Sequence, residues 1–154
     1  MAQSKSHLVP IAGGELPSQF AAKAVGRANS IELITVTVKV RAKDDKGSTS
    51  SLAAMSARAI GQRAHIGRDA FAAAHGADPA DLKKVEDYAR ANNLSVIESC
   101  PARRHVMLAG KVADFESAFG VTLERFEHSG GTFRSHTGSV QVPPDLQPDR
   151  KSVV

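Results

Sequence analysis

The chain has 154 residues, of which 42% are hydrophobic and 5% aromatic, and Lys plus Arg exceed Asp plus Glu by 20 to 16, for a net charge of +4. This length suits one domain with a single core, and the shortage of aromatic residues argues against a stacking ligand pocket. The single cysteine, Cys100, excludes an intrachain disulfide and a cysteine-built zinc site. The first residues contain no apolar signal-peptide core and no apolar run reaches the ~18 residues that span a bilayer, so we expect a soluble chain with no membrane partner.

The N-terminal third of the chain contains one clear strand. Residues 1–29 mix Gly, Pro, Ser and Ala without a sustained period, which predicts an extended arm. Residues 31–40, IELITVTVKV, alternate between two sets of side chains, as a half-buried strand does. The core-facing set is Ile34, Val36, Val38 and Val40, and the opposite set is Leu33, Thr35, Thr37 and Lys39. The polar run 43–51 predicts a loop, and 52–67 predicts mostly loop because Gly61 interrupts a weakly amphipathic stretch.

The middle of the chain has the clearest boundaries. Its predicted elements are a short helix at 68–75, a helix at 78–91, strands at 94–100 and 103–108, a helix at 112–119 and a strand at 121–128. Asp78 offers a side-chain cap and Pro79 a preset φ, which together predict where the second helix begins. Pro101 marks the turn between the two central strands, and Gly120 ends the last helix.

The order strand, helix, strand, strand, helix, strand predicts an α+β fold. Folded as one antiparallel sheet with both main helices on one face, it would be a ferredoxin-like α/β sandwich with a four-stranded sheet, followed by an extended C-terminal tail. We expect three segments: an N-terminal extended arm at 1–29, the ferredoxin-like domain at 30–128 and an extended linker at 129–154.

Helices on one face leave the other face of the sheet without an internal partner. Strand alternation places large side chains on that open face, namely Leu33, Ile97, His105, Met107 and Phe126. A slip of one residue in the last strand would move Phe126 to the core side. These side chains are our candidates for a protein-docking face, because buried apolar anchors dominate interface energies.

The sequence offers no catalytic or metal-binding constellation. It has no nucleophile elbow, no H-E-x-x-H pair, no phosphate-binding loop and no dinucleotide fingerprint, and its six histidines lack the spacing of metal ligands. Arg103 and Arg104 could meet phosphate, but their strand lacks the aromatic platform of an RNA-reading sheet. We therefore expect no enzyme activity in this chain, no cofactor, no metal and no nucleic acid.

Three stretches carry a family resemblance: FAAAHGADPADLKKVEDYARANNLSV, RRHVMLAGKVADFESAFGVTLERFE and TFRSHTGSVQVPPDL. Together they resemble the activation (pro) domain of the sedolisin/kumamolisin serine-carboxyl peptidases, in family order and over roughly residues 27–146. The resemblance implies a propeptide that assists folding of a subtilisin-like catalytic domain and inhibits it until acid-triggered autocleavage. The family's catalytic Ser, Glu and Asp and its calcium site belong to that following domain, so no residue here matches them. Lys111 stands where such domains usually place a Ser or Thr helix cap, which predicts a weaker helix start.

The resemblance gives the C-terminal segment a role. An extended tail can occupy a protease cleft as a strand, and the residues that would do so are Arg134, His136, Val140, Val142 and Pro143. The implied partner is the subtilisin-like catalytic domain, in cis or in trans, and the implied location is secreted or periplasmic as part of a precursor. Two alternatives stay open: a free-standing protease inhibitor or folding chaperone, and a ferredoxin-like regulatory domain that binds a small molecule. A propeptide of an acid-acting peptidase is also expected to bind tightly near neutral pH and more weakly toward pH ~4.

Overall fold

A computed structural model describes residues 7–15 and 22–147, with the side chains of 45–48 left aside. The strands are β1 Val9–Pro10, β2 Lys23–Arg27, β3 Leu33–Lys39, β4 Ser95–Cys100, β5 His105–Lys111, β6 Thr122–His128, β7 Gly131–Thr137 and β8 Gln141–Val142. The helices are α1 Asp45–Ser56, α2 Arg68–His75, α3 Pro79–Ala91 and α4 Val112–Phe119, with short 3-10 turns at Ile60–Gln62 and Pro144–Leu146. The predicted α+β class is confirmed. None of the described helices is long and apolar enough to cross a membrane.

The described strands form three small antiparallel sheets. Their orders are β3-β5-β4, β2-β6-β7 and β1-β8. The prediction of one four-stranded sheet is therefore wrong, because the last strand of the predicted set, β6, pairs with β2 and β7 instead of with β3. Its register sets Glu124 opposite Arg27, and the Ala28 amide donates to the Leu123 carbonyl at 2.9 Å. The Glu32 amide donates a hydrogen bond to the Asn29 carbonyl and closes a turn between β2 and β3. β6 therefore pairs with the strand before this turn, β2, and not with β3, which lies after it.

One core lies between the β3-β5-β4 sheet and the helices α3 and α4. Val106 and Leu108 of β5 are 0% and 1% exposed, and they pack against Leu82 of α3 and Phe115 of α4. Both helices lie on this one face, because their apolar stripes contact the same sheet side chains. A fully buried Leu side chain contributes on the order of 1.5–3 kcal/mol through the hydrophobic effect. The other face of the sheet receives no helix from the described chain.

The helix boundaries follow from local chemistry. Asp78 caps α3 by accepting a hydrogen bond from the Ala80 amide at 2.9 Å, as the sequence predicts. Gly120 ends α4 with φ of 60°, a left-handed conformation that glycine adopts without a Cβ clash. Lys111, at the N-cap of α4, provides no side-chain cap, and the start of α4 is held instead by the Val112 amide donating to the Glu32 carbonyl at 2.9 Å.

Two segments are more regular than their patterns predict. Helix α1 covers much of the predicted loop. Its Leu52 is 65% exposed, and none of its described side chains, at 49–56, is buried. The segment predicted as an extended tail contains β7, β8 and the 3-10 turn Pro144–Leu146. The boundary predicted between residues 128 and 129 falls at the turn of the β6–β7 hairpin.

Candidate docking face

The candidate site is the face of the β3-β5-β4 sheet that lies opposite α3 and α4. The strand register brings three of the five predicted residues onto it, Leu33, His105 and Met107, and Ile97 joins them from a bulge in β4. Leu33 and Ile97 are 74% and 56% exposed, whereas Met107 and His105 are half-buried between the neighbouring strands. Met107 lies opposite Thr37 in β3 and opposite Glu98 in β4. The face thus combines two exposed apolar side chains on the outer strands with half-buried side chains on the central strand.

A β-bulge in β4 changes which side chains reach this face. The register shifts between Val96 and Glu98, so that Ile97 and Glu98 share one position opposite Met107. Plain alternation from Ile97 would send Glu98 to the core side. Glu98 is therefore the residue of this face that sequence reasoning missed, and the pattern of β4 gives no signal of the bulge.

Glu98 adds a carboxylate to the face and contacts two basic neighbours. Its Oε1 lies 3.6 Å from Arg103 Nη1 and 3.5 Å from His105 Nε2. The His105 side chain is only 12% exposed, and its Nε2 makes no hydrogen bond of good geometry, so the contact with Glu98 is ionic only when the imidazole is protonated. Three titratable or charged groups therefore meet at the end of the face nearest the β4–β5 turn.

The structure places Phe126 apart from the other four predicted residues. It lies in β6, in the β2-β6-β7 sheet, where its ring stacks on Phe133 with centroids 5.6 Å apart. The two aromatic rings are opposite each other in register across β6 and β7. A cross-strand pair of this kind stabilises a hairpin by roughly 0.2–1 kcal/mol, so Phe126 has a structural role in its own sheet.

The five residues predicted to occupy a protease cleft are engaged within the domain. Arg134 and His136 lie in β7, where Arg134 Nη1 contacts Glu32 Oε1 at 2.8 Å and His136 Nε2 lies 2.9 Å from the Gly14 carbonyl oxygen. Val140 accepts a hydrogen bond from the Ile11 amide at 2.8 Å. Val142 is buried in β8, and Pro143 follows it directly. In this conformation the C-terminal segment from β7 to Gln147 is packed as part of the folded domain.

No second type of site is visible among the residues that the structure describes. They contain no group of three or more His, Cys, Asp or Glu side chains that could hold a metal ion. Two pKa shifts are resolved: burial raises the pKa of Tyr88, and the hydrogen bond from Lys83 holds the pKa of Asp87 below its usual value. Both residues lie in α3, on the helix side of the sheet and away from the docking face.

Comparison with known proteins identifies the family to which the chain is similar. A family model described as "Pro-kumamolisin, activation domain" matches residues 21–154. Kumamolisin from Bacillus sp. (strain MN-32) is 33% identical over 123 residues, which cover 80% of this chain. The chain spans 22% of the length of that relative.

Proposed function

Because the chain belongs to the pro-kumamolisin activation domain family, we propose that it is the propeptide of an acid-acting, subtilisin-like serine-carboxyl peptidase. In this role it assists folding of the catalytic domain, inhibits that domain, and is released by autocleavage at low pH. The precursor would be secreted or periplasmic. An activation domain is itself non-catalytic, and the catalytic groups act from another domain.

The observation that carries this proposal is the half-covered sheet. Its inner face packs on α3 and α4, while its outer face exposes Leu33 and Ile97. Large apolar groups that remain this exposed on a regular sheet favour burial by a partner, and the best anchors of an interface contribute ≳2 kcal/mol each. The catalytic domain of the same precursor is the partner that family membership supports.

The charged cluster on this face supports release in acid. A carboxylate that is paired across an interface has a lower pKa in the complex than in the free chain. It therefore stabilises the complex above its pKa in the free chain, and this contribution to the binding free energy is lost as pH falls through its pKa in the complex. A histidine buried neutral in the contact acts in the same direction, since it must take up a proton in acid. The carboxylate and the histidine of the docking face are Glu98 and His105, which lie 3.5 Å apart.

The two alternatives differ in what the structure offers them. A free-standing inhibitor would use the same face and differs only in whether the peptidase is encoded in the same chain. A small-molecule regulator would need a pocket, and the apolar crevice beside Tyr88, Leu108 and Phe119 has a volume of about 200 Å³. That volume is below the ~300–1,000 Å³ typical of ligand sites. A second, open hollow of about 590 Å³ is lined mostly by polar and charged side chains, among them Arg27, Glu32 and Arg134. It lacks the mainly apolar walls of such sites, so neither hollow favours this alternative.

Inhibition tests the proposal. The peptidase domain of the precursor is assayed with increasing amounts of the 154-residue chain, at the highest pH at which it still cleaves a peptide substrate. We expect saturable inhibition by the wild type, weaker inhibition by Leu33→Asp, and unchanged inhibition by Leu52→Asp, which alters a similarly exposed leucine on α1. Full activity at saturating wild-type chain, or equal loss in both variants with folding intact, would overturn it.

A further inference from the structure

The outer edge of β3 has no strand paired to it anywhere in the described ranges 7–15 and 22–147. β3 is the end strand of the β3-β5-β4 sheet, and among the described strands it pairs with β5 alone. Edge strands expose rows of unpaired main-chain N–H and C=O groups, which are templates for pairing with another chain. The side chains of β3 reflect this position. Ile34, Val36 and Val38 are half-buried, although Val106 and Leu108 on the same face of β5 are almost fully buried.

The hydrogen bonds at the two ends of β3 identify which main-chain groups face outward. The Val40 amide donates to the Arg104 carbonyl at 2.8 Å, and the Val112 amide donates to the Glu32 carbonyl at 2.9 Å. Both bonds fit the β3–β5 register, so the even-numbered residues of this segment bond to β5. The residues whose N–H and C=O groups point away from β5 are Leu33, Thr35, Thr37 and Lys39.

β3 lacks the features that usually protect an edge. It has no proline and no register shift, and its only charged residue, Lys39, is the last of its seven residues. The outer edge of β4, in contrast, has a bulge at Ile97 and a charge at Glu98. An unprotected edge of threonine and β-branched residues favours addition of a strand.

The sequence of β3 is complementary to itself about Val36. In an antiparallel pair of two copies around that residue, Thr35 faces Thr37 of the second copy, and Ile34 faces Val38 of the second copy. Threonine pairs and β-branched pairs of this kind are favourable across strands. Lys39 then faces Leu33 of the second copy, so the two lysines are at opposite ends. A parallel, in-register pair would instead place the two Lys39 side chains next to each other, and like charges that face each other across strands are destabilising.

From these relationships we infer that the outer edge of β3 binds β3 of a second copy of this chain. The two strands pair antiparallel about Val36 and join the two three-stranded sheets into one continuous sheet. The pairing satisfies the outward main-chain groups and covers the open flank of Ile34, Val36 and Val38. It uses the main-chain groups of an edge whose Leu33 also contributes its side chain to the docking face. It goes beyond the proposed function because it holds whichever peptidase the chain inhibits.

The test is the solution mass of the 154-residue chain across a concentration series up to about 1 mM, which detects dimers with dissociation constants as weak as millimolar. We expect twice the chain mass of 16.2 kDa at high concentration, falling toward 16.2 kDa on dilution. Thr35→Pro removes an outward N–H that β5 does not use, and it should leave a folded monomer. A monomeric wild type at every concentration would overturn the inference, as would a folded Thr35→Pro dimer.

A matched control and a second readout separate this edge from others. β6 and β7 close on the pair His128 and Gly131, so Thr132 also directs its N–H outward, and Thr132→Pro should stay dimeric. Should Thr35→Pro fail to fold, amide exchange of the wild type decides. The Thr35 and Thr37 amides should exchange at least tenfold more slowly at high concentration than at low, and identical rates would contradict the pairing.

Discussion

The hydroxyl of Tyr88 in α3 donates a hydrogen bond to the main-chain carbonyl of Ala118 in the last turn of α4. The bond joins the two helices that cover the core, and the ring also packs edge-on against Phe119 with centroids 6.2 Å apart. A carbonyl near a helix end has no partner within the helix, so a side-chain donor there satisfies a group that would otherwise need water.

Tyr88→Phe tests this link. The substitution keeps the ring and removes the donor, which leaves the Ala118 carbonyl without its side-chain partner. We expect the free energy of unfolding in urea to fall by about 1 kcal/mol, the usual net value of one hydrogen bond. A loss below about 0.3 kcal/mol would mean that water replaces the hydroxyl at no cost.

The same residue predicts how stability responds to alkali. Burial raises the pKa of Tyr88 above the reference value of 10.0, so the folded state keeps the phenol proton while the unfolded state loses it. The contribution of Tyr88 to the free energy of unfolding is therefore complete below pH ~10, and it is lost as pH rises through the pKa of Tyr88 in the folded state. Tyr88 is the single tyrosine and the chain has no tryptophan, so ultraviolet absorbance reports it directly.

We expect the phenolate absorbance of the folded chain to rise with a midpoint above the reference value. The stability difference between wild type and Tyr88→Phe should shrink between pH 8 and pH 11, while the decline from other groups appears in both proteins. A midpoint at or below the reference value would contradict the burial of the hydroxyl.

The cap of α3 gives a prediction with an internal control. Asp78 accepts a hydrogen bond from the Ala80 amide, and replacing an N-cap by alanine costs about 0.5–2 kcal/mol. Asp78→Ala should lower the free energy of unfolding by that amount, whereas Asp78→Asn should change it little because the amide oxygen also caps. Equal losses in both variants would assign the effect to the charge of Asp78 and not to its cap.

Acid release predicts a pH dependence of binding. With a catalytically inactive peptidase domain, the chain should bind more weakly at pH 4 than at pH 7, by tenfold or more. Glu98→Gln should reduce this dependence, because a neutral amide cannot lose charge in acid; Glu86→Gln, which alters a carboxylate paired with Arg90 on α3, serves as control. Equal affinities at both pH values would leave cleavage of the chain as the only acid-sensitive step.

Local chemistry made the middle of the chain predictable. The start of α3 at Asp78 and Pro79 and the end of α4 at Gly120 depend on residues adjacent to the boundary, and sequence patterns report such signals directly. The apolar face of β3 was likewise visible, because alternation records which side of a strand is buried. These features suffice to identify four of the five residues on one sheet face.

Long-range pairing was not predictable in the same way. All five residues of β2 are exposed, so that strand has no alternating pattern, and its pairing with β6 is a choice between segments about 100 residues apart. The bulge at Ile97 moves Glu98 to the docking face through main-chain register alone. Phe126 was predicted in the wrong sheet because the pairing of β2 with β6 has no sequence signal. Glu98 was missed because the bulge has none.

The dissociation constant of the chain for the inactive peptidase domain at pH 7 is the direct test of docking through this sheet face. We expect saturable binding that Leu33→Asp weakens at least tenfold, since an apolar anchor that becomes a buried charge loses well over 1.4 kcal/mol. Leu52→Asp, on α1, should bind like the wild type. Absence of binding by the folded wild type, or the same affinity for Leu33→Asp as for Leu52→Asp, would contradict the assignment of this sheet face to the peptidase.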